Sequence, residues 1–593
     1  MILHELVSYY DRRALDPDPA RRLPAFGLED KEIRFVIELA EDGRVIGLRD
    51  TQQLEGKKRR SKSFLVPQGE KKTSGVRSNL LWDTAQYAIG LERERKGKSE
   101  LTPHAAFRSR IEALPDAARA DAGVRAVLAA LERADWSLLH AHEAWPEIVE
   151  TNPVMTFRLS GDIDLVCQRP AVAAAAAQGA QQEESAGSSA MCLIDGEVRP
   201  IERVHTAIKG VWGAQTSGAN VVSYNARAFE SYGKTERQGE NAPIGQRAAF
   251  AYTTALNNLL GKDSRQRIQV GDASTVFWAD RASAFEGLFA ELFGSHDDPD
   301  RGTVAVKALF DSLKSGQLPV AERDVRFFVL GLAPNAARIA IRFWLNAPLA
   351  ELAPRIWQHF ADLAIARRFD SDPPTPSMFR LLTSLAVQGK ADNVPPRLAG
   401  EWMRCILEGL PYPAALLNAA VVRCKAEQDV TYLRAAILKA WLNRDERRRA
   451  PNLPTHHAHY KETLDMQQTD EPYRLGRLFA VLEKIQEEAA APRKLNSTIR
   501  DRYFGAACTT PVAVFTTLLR LKTAHSKQLA PERARYFERL IGEVFGTVAA
   551  PLVYAFPRQL NLPDQGRFAV GYYHQRQSFY TKKDADEPNP EEA

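Results

Sequence analysis

The sequence predicts an α+β protein: a mixed N-terminal domain with small antiparallel sheets and helices, then a helical region ending in a helix bundle. Three observations predict this. Short alternating apolar runs around Asp-Gly turns recur in the first third, helical periodicity dominates from about residue 281, and proline-opened amphipathic segments fill the last stretch. A chain of 593 residues exceeds one core, so several domains are expected, at 1–340, 341–465 and 466–593.

Ile33, Phe35, Ile37 and Leu39 alternate with polar or small neighbours, Asp42-Gly43 supplies a tight turn, and Val45, Ile46 and Leu48 follow: a hairpin. Residues 157–166 and 192–198 repeat the strand–turn–strand grammar. Between them, residues 171–190 are rich in Ala, Gln, Ser and Gly and read as a variable loop. Helices are expected at 117–139 and 244–260, then at 325–332, 335–345, 349–366, 398–407 and 430–442. A Pro- and His-rich loop follows at 450–460. Beyond it, Leu475, Leu478, Leu482 and Ile485 share one helical face, and Thr510-Pro511 and Pro531 each open a helix. Residues 567–581 supply the last, giving four helices, enough for an antiparallel bundle. The acidic, Pro-rich tail after Asp584 is expected to be disordered.

With 79 Lys+Arg against 74 Asp+Glu the net charge is +5, so any nucleic-acid footprint is local. Residues 54–79 hold eight basic side chains against two acidic, and residues 493–539 hold ten against three. Solvated faces explain either stretch alone; two such patches in a near-neutral chain fit contact surfaces. Five dispersed cysteines without a CxxC pair argue against a cysteine zinc site and a disulfide framework and fit a reducing cytosol. No secretory signal pattern is visible at the N-terminus, and charges break every apolar run well short of a membrane span. A cytoplasmic protein without membrane contact is expected.

The glycine-rich stretch 210–245 carries Gly210, Gly213, Gly218, Gly233, Gly239 and Gly245 among amides and hydroxyls, with Lys209, Lys234 and Arg237 nearby. Amides that donate and accept on a main chain free to approach closely suit a polymer with phosphates and base edges. No nucleophile with a paired base sits there. Elsewhere, His296-Asp297 lacks the further histidines a two-metal site needs. His456, His457 and His459 have no carboxylate or cysteine partner in their stretch. Neither GxxxxGK[ST], GxSxG nor HExxH occurs, so no catalytic residue, metal site or cofactor is expected. In residues 571–583, Tyr572, Tyr573, Phe579 and Tyr580 are read as bundle core, and the basic face (His574, Arg576, Lys582, Lys583) as a contact candidate.

The blocks WGAQTSGANVVSYNARAFESYG and NAPIGQRAAFAYTTALNNLL resemble the large subunit of the type I-C CRISPR Cascade surveillance complex, the Csd-one or Cas-eight-c family. So do GDASTVFWAD, VLGLAPNAARIAIRFW, QGKADNVPPRLAGEWMRCIL, LNSTIRDRYFGAACTTP and DQGRFAVGYYHQRQSFY. KKTSGVRSNLLWDTAQYAIG is similar to the family's SG-containing loop, but has Ser78-Asn79 and Trp82-Asp83-Thr84 where a Pro-aromatic and a Cys-Asp-Asn pattern are more usual. The match runs almost end to end and leaves out residues 171–190.

The resemblance implies a non-catalytic subunit of a crRNA-guided complex. It would read the protospacer-adjacent motif in duplex DNA, promote R-loop formation, hold the displaced strand and recruit the nuclease-helicase. Implied partners are the crRNA-bound Cascade backbone and crRNA-end-capping subunits, target double-stranded DNA, the displaced single strand and a small subunit translated from the chain's own C-terminal segment, with Met466 a candidate start. Under this reading Lys71, Lys72, Thr73, Ser74 and Asn79 approach the motif duplex, the lysines on phosphate and Asn79 or Ser74 near base edges. Gln215, Ser217, Asn220 and Asn225 sit at the duplex fork with Lys234 on the backbone, unless Asn220, Asn225 and Tyr232 hold the loop's own turns. Arg500, Arg502, Lys522 and Lys527 track the displaced strand or the guide–target duplex, unless they pair within the bundle. The competing classes are a metal-dependent nuclease using the histidine clusters and a helical adaptor that binds only proteins.

Overall fold

The computed structural model describes residues 1–55, 58–70, 76–92, 102–185, 189–224, 226–234, 239–293, 320–395, 397–450, 452, 458–492, 495–546 and 556–580. The tail after Asp584 therefore lies outside the described residues. The chain divides into two compact units, Met1–Thr206 with Val222–Asn258, and Ala207–Val221 with Leu259–Ala593. The architecture is α+β, as expected.

In the first unit, β1 (Leu28–Glu32) pairs with β6 (Ser63–Pro67), and the short β4 (Gln53–Glu55) with β5 (Lys58–Arg60). The main sheet takes β2 (Phe35–Leu39), β3 (Val45–Asp50), β7 (Trp82–Thr84) and β8 (Val154–Leu159) in the order β3-β2-β8-β7. The hairpin forms at Asp42-Gly43. Gly43 has φ +82°, and a Cβ there would lie 2.7 Å from the Ala129 side chain, so glycine both makes the turn and admits the neighbouring helix. While the other pairs of this sheet are antiparallel, as expected, the β2–β8 pair is parallel. More than a hundred residues separate these strands, room for the crossover that parallel pairing needs.

Helices of this unit include α1 (Ile2–Ala14), α2 (Ala122–Arg133), α3 (Pro170–Ser185) and α4 (Gln246–Leu259). The stretch expected as a loop from residue 171 thus begins as helix α3, with Val172 fully buried. Its alanines are the strongest helix formers, and that outweighs low sequence complexity. Of the strand–turn–strand expected over 157–166, the first strand ends at Leu159, and the place of the second is taken by a 3-10 turn at Val166–Gln168. Around Asp195-Gly196, β9 (Ser189–Met191) and β10 (Val198–Pro200) close the second hairpin.

The second unit begins with an antiparallel meander of β11 (Arg267–Val270), β12 (Ala273–Ala279), β13 (Arg326–Asn335) and β14 (Arg338–Pro348). Two expected helices, 325–332 and 335–345, are therefore strands, and the boundary expected at 340 falls inside β14. β13 is a central strand whose residues from Phe327 to Ala333 are almost all buried, so it reads as a continuous apolar run that periodicity cannot tell from a helix.

Helices follow: α5 (Leu349–Leu363), α6 (Leu398–Glu408), α7 (Ala414–Glu427), α8 (Tyr432–Arg449), α9 (Glu471–Ala490), α10 (Ile499–Thr509), α11 (Pro511–Ser526), α12 (Pro531–Phe545) and α13 (Leu562–Ser578). One apolar core runs from Ile268 to Tyr573. A Cβ on Gly566 of α13 would lie 3.1 Å from Leu417 of α7, so α13 packs on the preceding helices as well as on α9. The boundary expected at 465 is therefore not a boundary in packing.

Two histidines are sealed in this core. His359 and His574 are each 1% exposed, with their Nδ1 atoms 2.6 Å from Tyr412 Oη and 2.9 Å from Tyr473 Oη. Burial pushes His574 down to about 3 and His359 well below the ordinary histidine value. Both stay neutral in the fold while the unfolded chain takes up protons below about pH 6.5. Their contribution is therefore intact above pH 6.5 and is lost as pH falls towards the folded pKa, by about 1.4 kcal/mol per pH unit for each histidine. Urea midpoints should fall between pH 7 and 5, and His574→Gln should flatten that dependence.

Candidate nucleic-acid interface

Within the second unit, residues 207–221 form a projection pinned at its base. Ile208 and Ala219 exchange backbone hydrogen bonds of 2.8 and 2.9 Å. Asn220 donates its N–H to Ala337 O (3.3 Å) and accepts at its own carbonyl from Ile339 N–H (3.1 Å), fastening the projection to the β13–β14 turn. Gly210 and Gly218 have φ of +84° and +93°, and a Cβ on either would come within 2.8 Å of a backbone carbonyl. Glycine at 218 lets the two arms lie this close, the carbonyl being that of Ile208, and glycine at 210 lets the chain lie against Leu260 O.

Between the pins, Trp212, Gln215, Thr216 and Ser217 are exposed. Trp212 has 55% of its surface in water, while its backbone N–H donates to Ser274 Oγ at 2.9 Å. The result is a large aromatic face on a fixed main chain beside exposed amide and hydroxyl groups. Sequence reasoning passed over Trp212; its position between two glycines of one turn was the available signal. Asn220 sits half-buried at the base, so of the expected fork residues Gln215 and Ser217 reach outward. Asn225 lies outside the described residues.

Lys234 belongs to the first unit. Its Nζ donates to Glu240 O at 2.9 Å, and Asn241 Nδ2 donates to Lys234 O at 3.1 Å, so this exposed lysine ties its own loop. Beside it Tyr232 is 95% exposed with φ +57°, a conformation that costs a non-glycine residue roughly 1–2 kcal/mol. A ring that exposed holds no turn together, so the bracing expected of Tyr232 is not made by its side chain.

Lys71, Lys72, Thr73 and Ser74 lie outside the described residues. Asn79, expected near base edges, is turned inward at 6% exposure. Its Oδ1 accepts Glu70 N–H (2.9 Å), and its own N–H donates to Asp83 Oδ2 (3.0 Å). A buried amide is held where its hydrogen bonds are, so Asn79 ties Glu70 to Asp83, and the base-reading role is corrected to a positioning one.

In the helical segment the four expected cations separate. Arg500 approaches Asp429 (3.4 Å), Glu483 (3.7 Å) and Asp501 (3.8 Å), and Lys522 is paired with Glu538. Arg502 and Lys527 are exposed. Partners for Arg500 come from α9 and from Asp429 just beyond α7, which charge counting along residues 493–539 could not find. The basic face expected over 571–583 is likewise drawn inward: Arg576 pairs with Glu483 (3.0 Å) and Glu487 (2.8 Å), and His574 is core. Lys582 and Lys583 lie outside the described residues.

His296, Asp297, His456 and His457 also lie outside them. His459 hydrogen-bonds Asp470 at 3.1 Å, which holds its pKa above the ordinary value. Among the described residues, no group of three or more His, Cys, Asp or Glu is placed to hold a metal ion, and no helix is long and apolar enough to cross a membrane.

No curated protein matches the chain. A family model described as CRISPR-associated protein (Cas_Csd1) matches residues 6–580, through both units and every element above. The chain belongs to this family, the large subunits of type I-C CRISPR systems.

Proposed function

We propose that this chain is the non-catalytic large subunit of a crRNA-guided type I-C Cascade complex. It recognises the protospacer-adjacent motif in duplex DNA, promotes R-loop formation, holds the displaced strand and recruits the nuclease-helicase. The observation that carries the reading, within the family frame, is the glycine-pinned projection of residues 207–221. Rigid loops with exposed aromatic and amide groups unstack and hold bases without breaking bonds. In this reading Trp212 stacks at the duplex fork, Gln215 and Ser217 contact it, and Lys71, Lys72 and Lys234 meet phosphates. Asn79 holds Glu70 and Asp83 in place.

The partners are the crRNA-bound backbone and end-capping subunits, target DNA with its displaced strand, the nuclease-helicase, and a small subunit made from the segment beginning near Met466. A separate copy of that segment would bare the face of α13 that rests here on α7 and α8. That face must be covered by another subunit.

The test is a gel-shift series with the assembled complex on motif variants. Motif-bearing duplex should bind more tightly than motif-lacking duplex, and Mg²⁺, Mn²⁺ or Ni²⁺ should produce no strand scission by this chain alone. Equal binding to all motifs, or cleavage, defeats the reading. Reversing Arg502 and Lys527 to Glu should shorten R-loop lifetime and reduce the log–log salt slope by about one unit per lost phosphate contact. Reversing Arg500 should instead destabilise the fold, because its carboxylate partners are internal.

A further inference from the structure

A cavity of about 510 Å³ opens in the first unit and matches none of the residues assigned above to DNA. Its size falls within the range of about 300–1,000 Å³ typical of small-ligand sites. Its apolar wall includes Phe26 and Phe250, edge to face with ring centroids 5.3 Å apart, together with Leu80 and Leu114. Gln68 and Gln246 add side-chain amides that both donate and accept. At the lining, Glu70 bridges two guanidiniums, Arg110 at 2.6 Å and Arg77 at 3.5 Å.

The triad carries one net positive charge, which Glu202 elsewhere on the lining balances over the cavity as a whole, so the cationic end is local to Arg77 and Arg110. Glu70 offsets the mutual repulsion of the arginines and keeps them together. Arg110 is held tightly, while Arg77, with 62% of its side chain exposed, is held loosely enough to turn onto an incoming anion. Flat apolar walls, amide edges and a planar cationic fork match the three parts of one molecule: a heterocyclic base, its polar edge and its phosphate. The Asn79 amide fixes Glu70 through its backbone N–H, so the cavity rim is tied to the 70s loop that the proposed function brings to DNA.

We propose that this cavity receives a single unpaired nucleotide extruded from the DNA strand next to the recognised motif. The base lies against Phe26, Phe250, Leu80 and Leu114, and the phosphate lies on Arg77 and Arg110. The inference rests on the proposed function, because the DNA must first be brought to this unit. Holding one base outside the stack removes its competition for re-pairing and favours the opened duplex.

Gly179 of α3 provides the decisive variant. It lines the cavity, and an added Cβ there meets no atom within 4 Å. Glycine is also the poorest helix former after proline, so Gly179→Phe adds a ring at the cavity lining without straining α3, and Gly179→Ala is its size control. The experiment uses the assembled crRNA complex and target duplexes carrying 2-aminopurine at successive positions beside the motif. One position should brighten several-fold on binding; Gly179→Phe should abolish the rise, Gly179→Ala should keep it, and Arg110→Gln should weaken it about tenfold. Motif-dependent binding with no brightening at any position overturns the inference and leaves the proposed function standing, as does brightening that survives Gly179→Phe. A complex that binds no motif-bearing DNA defeats the function and this inference together. Free dAMP, titrated into the isolated chain, separates sources: binding of it that Gly179→Phe removes, with no brightening in DNA, overturns the strand as the source.

Discussion

Gly571→Ala and its counterpart Gly476→Ala should destabilise the helical unit more than any other single-methyl addition at a glycine of its helices, each by about 3 kcal/mol. A Cβ at Gly571 would stand 2.0 Å from Tyr473 O, and one at Gly476 would stand 1.9 Å from Phe568 O. The two glycines are reciprocal. Each sits where the opposite helix, α9 or α13, passes backbone to backbone, and a main chain cannot rotate away as a side chain can. Relief requires moving the helices apart, which loosens the hydrogen bonds their closeness sets: Tyr473 to His574 (2.9 Å), Tyr572 to Glu483 (2.6 Å) and Arg477 to Gln575 (3.1 Å).

The geometry ranks four glycines. Gly476→Ala should match Gly571→Ala, and the double variant should cost less than their sum because one separation of the helices relieves both clashes. Gly566→Ala should cost less, since its Cβ would meet only the end of the Leu417 side chain at 3.1 Å. Gly505→Ala, with nothing within 4 Å, should be stabilising by up to about 1 kcal/mol through helix propensity. Urea midpoints of the unfolding transition followed by far-UV circular dichroism check the order. A Gly571→Ala midpoint equal to the parent's would mean that the helices do not cross this closely.

The sequence foretold elements wherever local chemistry decides the backbone. Asp42-Gly43 announces a hairpin because few residues other than glycine accept its φ, and Thr510-Pro511 announces a helix start because proline fits the first turn. It misled where burial on two faces erased the pattern, as in β13, although Phe343, Leu345 and Ala347 of β14 kept an inward alternation that could have been read. Charge runs were the least informative guide. Counting along the chain cannot see that Glu483 and Asp429, outside the counted stretch, reach Arg500, nor that Glu538 inside it takes Lys522. For the same reason Asn79 resembled a base reader in sequence, since composition says nothing about which way an amide points. The glycine-rich stretch was legible as a surface of approach, but its division between two units was not: Gln215, Ser217 and Asn220 belong to one and Lys234 to the other.

Replacing Trp212 with alanine should weaken opening of target DNA by roughly 10- to 100-fold, the range expected when one stacked base loses its aromatic partner at about 1–3 kcal/mol. Stability should change little, because the ring is more than half in water and the local main chain is fixed by other contacts. Those contacts are the Ile208–Ala219 hydrogen bonds, the Asn220 bonds to the β13–β14 turn and the Trp212 N–H bond to Ser274. The rigidity matters to the size of the effect. A flexible loop would have to be ordered on binding and would surrender part of the stacking energy, whereas a pinned one presents the ring already in place. Trp212→Phe should keep most of the opening, since a smaller ring still stacks, and Ser274→Ala should lose an intermediate amount by freeing the backbone that aims the indole. Permanganate reactivity of thymines next to the motif, measured at equal occupancy of the complex, reads opening separately from capture. Unchanged reactivity with Trp212→Ala would remove the projection from strand separation and leave it, at most, a grip on the closed duplex.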